Sequence, residues 1–178
     1  RMELLPTEYL TTSLAGDLVN LIHLRAENKG LSLITDIDPM LPVKLIGDEL
    51  RIKQVITNIL TNAVKYTEEG SVTFEVRSEK GDDENVELFV SVKDTGIGIK
   101  EENIGELFDA FTQLDVKKNR WKEGSGLGLA IFAQLVTLMN GTYKVESEYG
   151  KGSSFFFNIA VDVADRTPFG GQVRRSEF

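Results

Sequence analysis

An α+β sandwich of two layers, with helices packed on one face of a largely antiparallel mixed sheet, is the fold class this sequence predicts. Three observations predict it. Helical and strand-like periodicities are interleaved along the chain, the strand-like segments fall into three hairpin-like pairings, and each helical segment carries one apolar stripe to bury. With 178 residues, 41% of them hydrophobic, the chain can build one substantial core and is short for two. One domain over residues 1–164 is expected, followed by a linker or tail over 165–178 that contains Pro168-Phe169-Gly170-Gly171.

The elements follow in order. Leu14, Leu18, Leu21, Ile22 and Ala26 form an apolar stripe between Thr11 and Lys29, a helix that Gly30 stops. Leu31 to Ile37 alternates and runs into Pro39 and Pro42, which suits a strand followed by a turn. A second helix begins near Asp48; Ile52, Val55, Ile56, Ile59, Leu60 and Ala63 line one side, and Arg51, Gln54, Asn58, Asn62 and Lys65 share the other. Gly70 ends it. Val72-Phe74-Val76 and Val86-Leu88-Val90-Val92 read as a hairpin across the polar run Glu79–Asn85. A short helix near Glu101–Phe108, a long aperiodic stretch from Thr112 to Ser125, and a helix from about Leu127 to Met139 follow, the last stopped by Asn140-Gly141. Strands around Tyr143–Ser147 and Ser154–Val163 flank the turn Gly150-Lys151-Gly152.

Composition narrows the function. A net charge of −8 disfavours a surface that neutralises nucleic-acid phosphates. The absence of cysteine excludes disulfides, a thiol nucleophile and thiolate-held zinc, and fits a reducing compartment. No run approaches the roughly 20 apolar residues of a membrane helix, and Arg1-Met2-Glu3 starts no signal peptide. A cytoplasmic location without membrane contact is expected for this chain; an inner- or plasma-membrane anchor stays open for a longer parent.

Three segments invite chemistry. Asn58 and Asn62 lie four apart on a helix, so their amides and Lys65 point the same way. An Asn carbonyl suits Mg²⁺, which takes few protein ligands beside phosphates and water; the same pattern is also an ordinary solvated helix face. Asp94-Thr95-Gly96-Ile97-Gly98 follows a strand, where a carboxylate can accept from an exocyclic amine and glycines let backbone approach a flat ring; a plain β-turn uses the same residues. Gly124-Ser125-Gly126-Leu127-Gly128-Leu129 opens a helix whose free N–H groups suit a phosphate chain, yet it follows no strand and lacks a Lys-Ser/Thr pair, so it is neither a Rossmann nor a Walker loop.

In this order the segments resemble the histidine-kinase branch of the ATPase family shared with gyrase, the Hsp90 chaperones and MutL. Asn58-Ile-Leu-Thr-Asn62-Ala-Val-Lys65-Tyr66-Thr67 is similar to its N box, and Asp94-Thr-Gly96-Ile-Gly98-Ile99 to its first glycine box. Phe108-Asp-Ala-Phe111 resembles the F box, Gly124 to Leu129 the second glycine box, and Gly150-Lys-Gly152-Ser-Ser-Phe155 the terminal glycine turn. The likeness runs from about Met2 to Val163.

The resemblance implies a Bergerat-type ATP-binding fold and a protein-histidine kinase of two-component signal transduction, with ATP and Mg²⁺ as cofactors. By it Asn62 would hold Mg²⁺ with Asn58 supporting it, these two forming the catalytic pair, and Asp94 would recognise the adenine amine. Lys65 and Tyr66 would line the nucleotide, and Gly126 and Gly128 would meet the phosphates under a lid over Thr112–Ser125, anchored by Phe108 and Phe111. Gly96, Gly98, Ile99, Ser125, Leu127 and Leu129 complete the binding set it implies. Ala110 departs from the family, where many relatives have Pro. In the gyrase, chaperone and MutL branches the residue one turn before the Mg²⁺-binding Asn is a water-activating Glu; here it is Asn58, which has no useful basicity.

Transfer to a protein acceptor is therefore favoured over hydrolysis. The acceptor implied is a His on a separate dimerisation domain, with a response regulator or receiver domain beyond it. Asp165-Arg-Thr-Pro168-Phe-Gly170 resembles the link to a receiver domain in hybrid kinases. His23 has no acidic residue after it in the acceptor pattern and is expected to be structural or superficial, so the chain should bind ATP without an acceptor of its own. Trp121 is expected to be a lid side chain. An ATP-hydrolysing switch and a catalytically inactive nucleotide-binding or docking module stay open as rivals.

Overall fold

The computed structural model describes residues 6–81, 84–105 and 126–171. Along the chain come β1 (Thr7–Leu10), α1 (Thr11–Asn28), β2 (Ser32–Ile37), β3 (Pro42–Gly47), α2 (Glu49–Lys65), β4 (Ser71–Lys80) and β5 (Asn85–Asp94). Residues 101–105 are helical, and α3 (Gly126–Leu138), β6 (Thr142–Glu148), β7 (Gly152–Pro168) and a 3₁₀ turn (Phe169–Gly171) complete the description. The strands form a seven-stranded sheet in the order β1-β3-β7-β5-β4-β2, with β6 beside the first half of β7. Only β2 runs parallel to its neighbour, β4. Helices and sheet thus make the expected α+β sandwich.

Strand periodicity builds the core. Val72, Phe74 and Val76 of β4 and Val86, Leu88, Val90 and Val92 of β5 are buried, as are Phe155, Phe157, Ile159 and Val161 of β7. Register stacks them across the sheet: Phe74 faces Val92, which faces Phe155, and Val76 faces Val90, which faces Phe157. A side-chain period of two puts this whole set on one face. α2 packs there with Ile52, Val55, Ile56, Ile59, Leu60 and Ala63, in contact with both α1 and α3. Phe132 of α3 is fully buried, edge-on to Phe155 at 6.2 Å, Phe157 at 6.0 Å and Tyr143 at 5.6 Å between ring centroids. Edge-on pairs of this kind suit the aromatic quadrupole.

Helix ends are set locally. Asp48 caps α2 by accepting the Arg51 N–H at 3.2 Å, with Glu49 in the first turn and Lys65 in the last, the signs that suit the helix dipole. Beyond α3, Asn140 takes the left-handed conformation at φ 58° and the Gly141 N–H returns to the Val136 carbonyl at 2.9 Å.

The structure corrects the sequence reading in three places. β1 and β3 were not expected as strands: the turn near Pro39 closes with the Leu41 N–H on the Asp38 carbonyl at 3.2 Å, and Pro42 then opens β3. Register irregularities between Pro42 and Leu45 break the alternation that would have marked it. Of three hairpin-like pairings, β4–β5 and β6–β7 are sequential hairpins, whereas β2 lies at an edge parallel to β4, and β3 sits across the sheet beside β7. Residues 165–171, expected as the start of a linker or tail, are strand through Pro168, which pairs with Pro42; Phe169 is buried and its N–H meets the Leu41 carbonyl at 2.6 Å. No helix among the described residues is long and apolar enough to cross a membrane.

Phe132→Ala is expected to lower unfolding free energy by about 3–5 kcal/mol in urea titrations, because it empties the junction of α3 with β6 and β7. Tyr9, on β1, buries a hydroxyl that has no partner among the described residues, and burial pushes its pKa well up. Tyr9→Phe should therefore leave the urea midpoint unchanged or raise it.

Candidate functional site

The alternation that buries Val86, Leu88, Val90 and Val92 places Asp94 on the same inward face, at the end of β5. Asp94 is 6% exposed. Its Oδ1 accepts two main-chain hydrogen bonds, from the Gly96 N–H at 2.9 Å and the Ser153 N–H at 3.3 Å, while among the described residues Oδ2 accepts none. Burial raises the Asp94 pKa above the ordinary carboxylate value, and the two N–H donors hold the rise back.

The loop after Asp94 is fastened on two sides. On one side it meets the end of α2: the Ile97 N–H donates to the Tyr66 carbonyl at 3.2 Å. A Cβ on Gly96 would lie 2.3 Å from that carbonyl and 2.8 Å from the Thr67 hydroxyl, so the contact needs a residue without a side chain. On the other side the loop meets the β6–β7 turn. The Gly150 N–H donates to the Ile97 carbonyl at 2.6 Å and the Ile99 N–H to the Ser147 hydroxyl at 2.7 Å. Gly98 has φ 74°, and a Cβ there would meet the Glu148 carbonyl at 2.2 Å.

α2 brings Asn58 and Asn62 to one face, as their spacing predicts, but that face is not uniformly solvated. Gln54 and Lys65 are exposed, Asn58 is half-buried and Asn62 is 8% exposed. The Nδ2 atoms of both amides are buried and have no hydrogen-bond partner among the described residues. Each amide also carries an oxygen suited to a hard cation. No group of three or more His, Cys, Asp or Glu able to hold a metal occurs among the described residues. The donor set thus fits an ion held chiefly by phosphates and water with one amide oxygen, and does not fit an all-protein cage.

Thr67 links the two halves. It is fully buried, its hydroxyl donates to the carbonyl of Ala63, next to Asn62, at 2.7 Å, and it abuts Gly96. Lys65 is exposed with Nζ 5.5 Å from the Tyr66 ring centroid.

A family model described as "Histidine kinase-, DNA gyrase B-, and HSP90-like ATPase" matches residues 47–163. The chain belongs to this ATPase family. Proteins similar to it include histidine kinases. Hybrid signal transduction histidine kinase B of Dictyostelium discoideum is 36% identical over 167 residues, 94% of this chain and 8% of that protein. Signal transduction histidine-protein kinase BarA of Escherichia coli K12 is 38% identical over 151 residues, 85% of this chain and 16% of that protein. The chain therefore spans a small part of the length of these relatives. Among solved structures, full-length ShkA in complex with AMPPNP superposes with a TM-score of 0.72 at 32% identity, over 92% of this chain and 33% of that one. The catalytic domain of histidine kinase ThkA, at 24% identity and a TM-score of 0.63 over 89% of this chain and 95% of that one, shares the fold.

Within this ATP-binding domain of the histidine-kinase type, the loop Asp94–Ile99 is joined to the C-terminal end of α2 by the Ile97 N–H on the Tyr66 carbonyl and the Thr67–Gly96 contact, and to β6 by Ser147, while Asn62 and Asn58 lie one and two turns back along α2. Gly126, Leu127 and Gly128 form the first turn of α3, and Leu129 is 3% exposed with its side chain in the core, leaving only its main chain for a ligand. Phe108, Phe111, Ser125, Trp121 and the proposed lid lie outside the described residues. His23 lies on α1 with Nε2 3.2 Å from Glu27. The sequence reading did not single out Thr67, Ser147 or Ser153. Thr67 stood inside the N-box run and Ser153 inside the terminal glycine turn; Ser147 had no signal, because its role depends on a contact 48 residues away.

Because the folded-state pKa of Asp94 is raised, the folded protein holds that proton more tightly than the unfolded chain. The group's contribution to stability is thus present at low pH and lost as pH rises through the folded pKa. Asp94→Asn keeps the shape and the Oδ1 acceptor for both N–H donors. Its melting temperature should match the wild type near pH 3, below the ordinary Asp value of about 4, exceed it as pH rises through the folded Asp94 pKa, and hold a constant margin above that in calorimetric scans.

Proposed function

We propose that this domain binds Mg-ATP and delivers the γ-phosphoryl group to a histidine on a separate dimerisation domain, within two-component signalling. The observation that carries the reading is Asp94: a buried carboxylate with one oxygen held by main-chain donors and the other available to accept from an exocyclic amine. Adenine offers that donor, and Gly96 keeps backbone rather than a side chain beside it. Asn62, with Asn58 one turn earlier on the same face of α2, would lend an amide oxygen to Mg²⁺. When bound, Mg²⁺ would neutralise charge on the phosphates.

The first turn of α3, Gly126-Leu127-Gly128, supplies main-chain N–H groups at a helix N-terminus for the phosphate chain. Ser125, Phe108 and Phe111 keep their proposed places as lid and anchor. Phosphoryl transfer asks mostly for positioning and charge neutralisation, and Asn58 offers no base for activating water. Names that include "hybrid" among the relatives support a receiver domain as a further partner.

Calorimetric titration tests this. Wild-type protein should bind ATP more tightly with Mg²⁺ than without. Asp94→Asn, which turns an amine donor towards another donor, should weaken ATP by roughly 5- to 150-fold, the range set by about 1–3 kcal/mol for an unmatched buried polar group. Asn62→Ala should bind ATP without the Mg²⁺ enhancement. Failure of the folded wild type to bind ATP would leave a docking module as the better account, and steady ATP hydrolysis without an acceptor would favour the gyrase-like switch.

A further inference from the structure

Three segments of the site meet at one atom, the Ser147 hydroxyl of β6. It accepts the Ile99 N–H at 2.7 Å, lies 3.1 Å from the Gly152 carbonyl as its donor, and lies 2.8 Å from the Ser153 hydroxyl. A hydroxyl has one proton and two lone pairs. With its proton on the Gly152 carbonyl, its lone pairs take the Ile99 N–H and the Ser153 O–H, so its capacity is fully used.

The Gly152 carbonyl and the Ser153 N–H belong to one peptide group, and that N–H is one of the two that hold Asp94 Oδ1. A trans peptide is planar, with C=O and N–H pointing in opposite directions, so fixing one fixes the other. Gly152 sits at φ 138°, a conformation other residues rarely adopt, and as the first residue of β7, paired with Glu148 at the end of the ladder, it leaves this peptide less restrained than those further along the strand. Ser147 grips one end of this peptide plane and Asp94 the other.

We infer that Ser147 is a positioning residue for base recognition: it never meets the nucleotide, but it locks the Gly152–Ser153 peptide and the Ile99 end of the loop, so that Asp94 Oδ1 stays anchored and Oδ2 stays aimed. This rests on the reading of Asp94 as the acceptor for the adenine amine. A residue that only knits the hairpin would affect stability; a residue that aims the carboxylate also affects which base is preferred.

The test compares wild type, Ser147→Ala and Ser147→Thr in the full chain by calorimetry with ATP and with inosine triphosphate, whose 6-oxo group replaces the amine. Ser147→Ala is expected to weaken ATP about tenfold, with inosine triphosphate nearly unaffected, so the preference between them shrinks. Ser147→Thr, which keeps the hydroxyl, should restore it. Amide exchange without nucleotide provides the second readout, with the Ser153 N–H exchanging faster in Ser147→Ala than in wild type. Should Ser147→Ala fail to fold, Ser147→Cys, a weaker hydrogen-bonding group, should give the same changes at smaller size. A lowered melting temperature with an unchanged base preference and unchanged Ser153 exchange overturns the inference while leaving ATP binding intact. A wild type that ignores ATP overturns the functional reading itself, and the exchange comparison still decides whether Ser147 locks the peptide.

Discussion

A carboxylate on the apolar face of a sheet is the constraint around which this domain is organised. Asp94 is in phase with Val86, Leu88, Val90 and Val92, so strand geometry delivers it to the inside whether or not a charge is welcome there. Ionised groups in such places need compensation. Among the described residues the compensation comes from main chain, through the Gly96 and Ser153 N–H groups. Those donors exist only if the loop after β5 and the start of β7 are brought together, which is the task of the glycines, of Thr67 and of the β6–β7 hairpin. The register that sets Asp94 opposite Ser153 continues the one that sets Val92 opposite Phe155, so packing and site share one alignment.

Much of this was legible in the sequence, for physical reasons that differ by element. The stripe of α2 and the alternation of β4 and β5 are local signals, strong because one side of each element is core. Asp94 could be placed because the alternation runs up to it. β3 could not, since Pro42 and Leu45 are buried three apart across an irregular register and its partner β7 lies far along the chain. The last stretch of β7 was misread for a related reason. Residues 164–168 are all exposed, so they show no period, and their strand conformation comes from pairing rather than from burial.

The candidate site was legible as a set of residue types and far less so as an environment. Asn58 and Asn62 were placed on a polar face that composition alone makes a solvated one; their buried amide nitrogens are a tertiary result of the packing around α2. Ser147 illustrates the opposite limit. Nothing in Glu146-Ser147-Glu148 distinguishes its serine from any surface serine on a strand, and its meaning comes from Ile99 and Gly152 arriving at the same hydroxyl.

β7 has a mechanical side. It is a 17-residue strand whose first half is flanked by β6 and β5 and whose second half is paired with β3. A pull applied at Phe169 along the strand axis would be shared by many hydrogen bonds loaded side by side, instead of opening them one after another. The same strand begins at Gly152 and Ser153, against Asp94. Tension or torque arriving at one end of the sheet therefore has a stiff route to the carboxylate at the other, along a single covalent backbone.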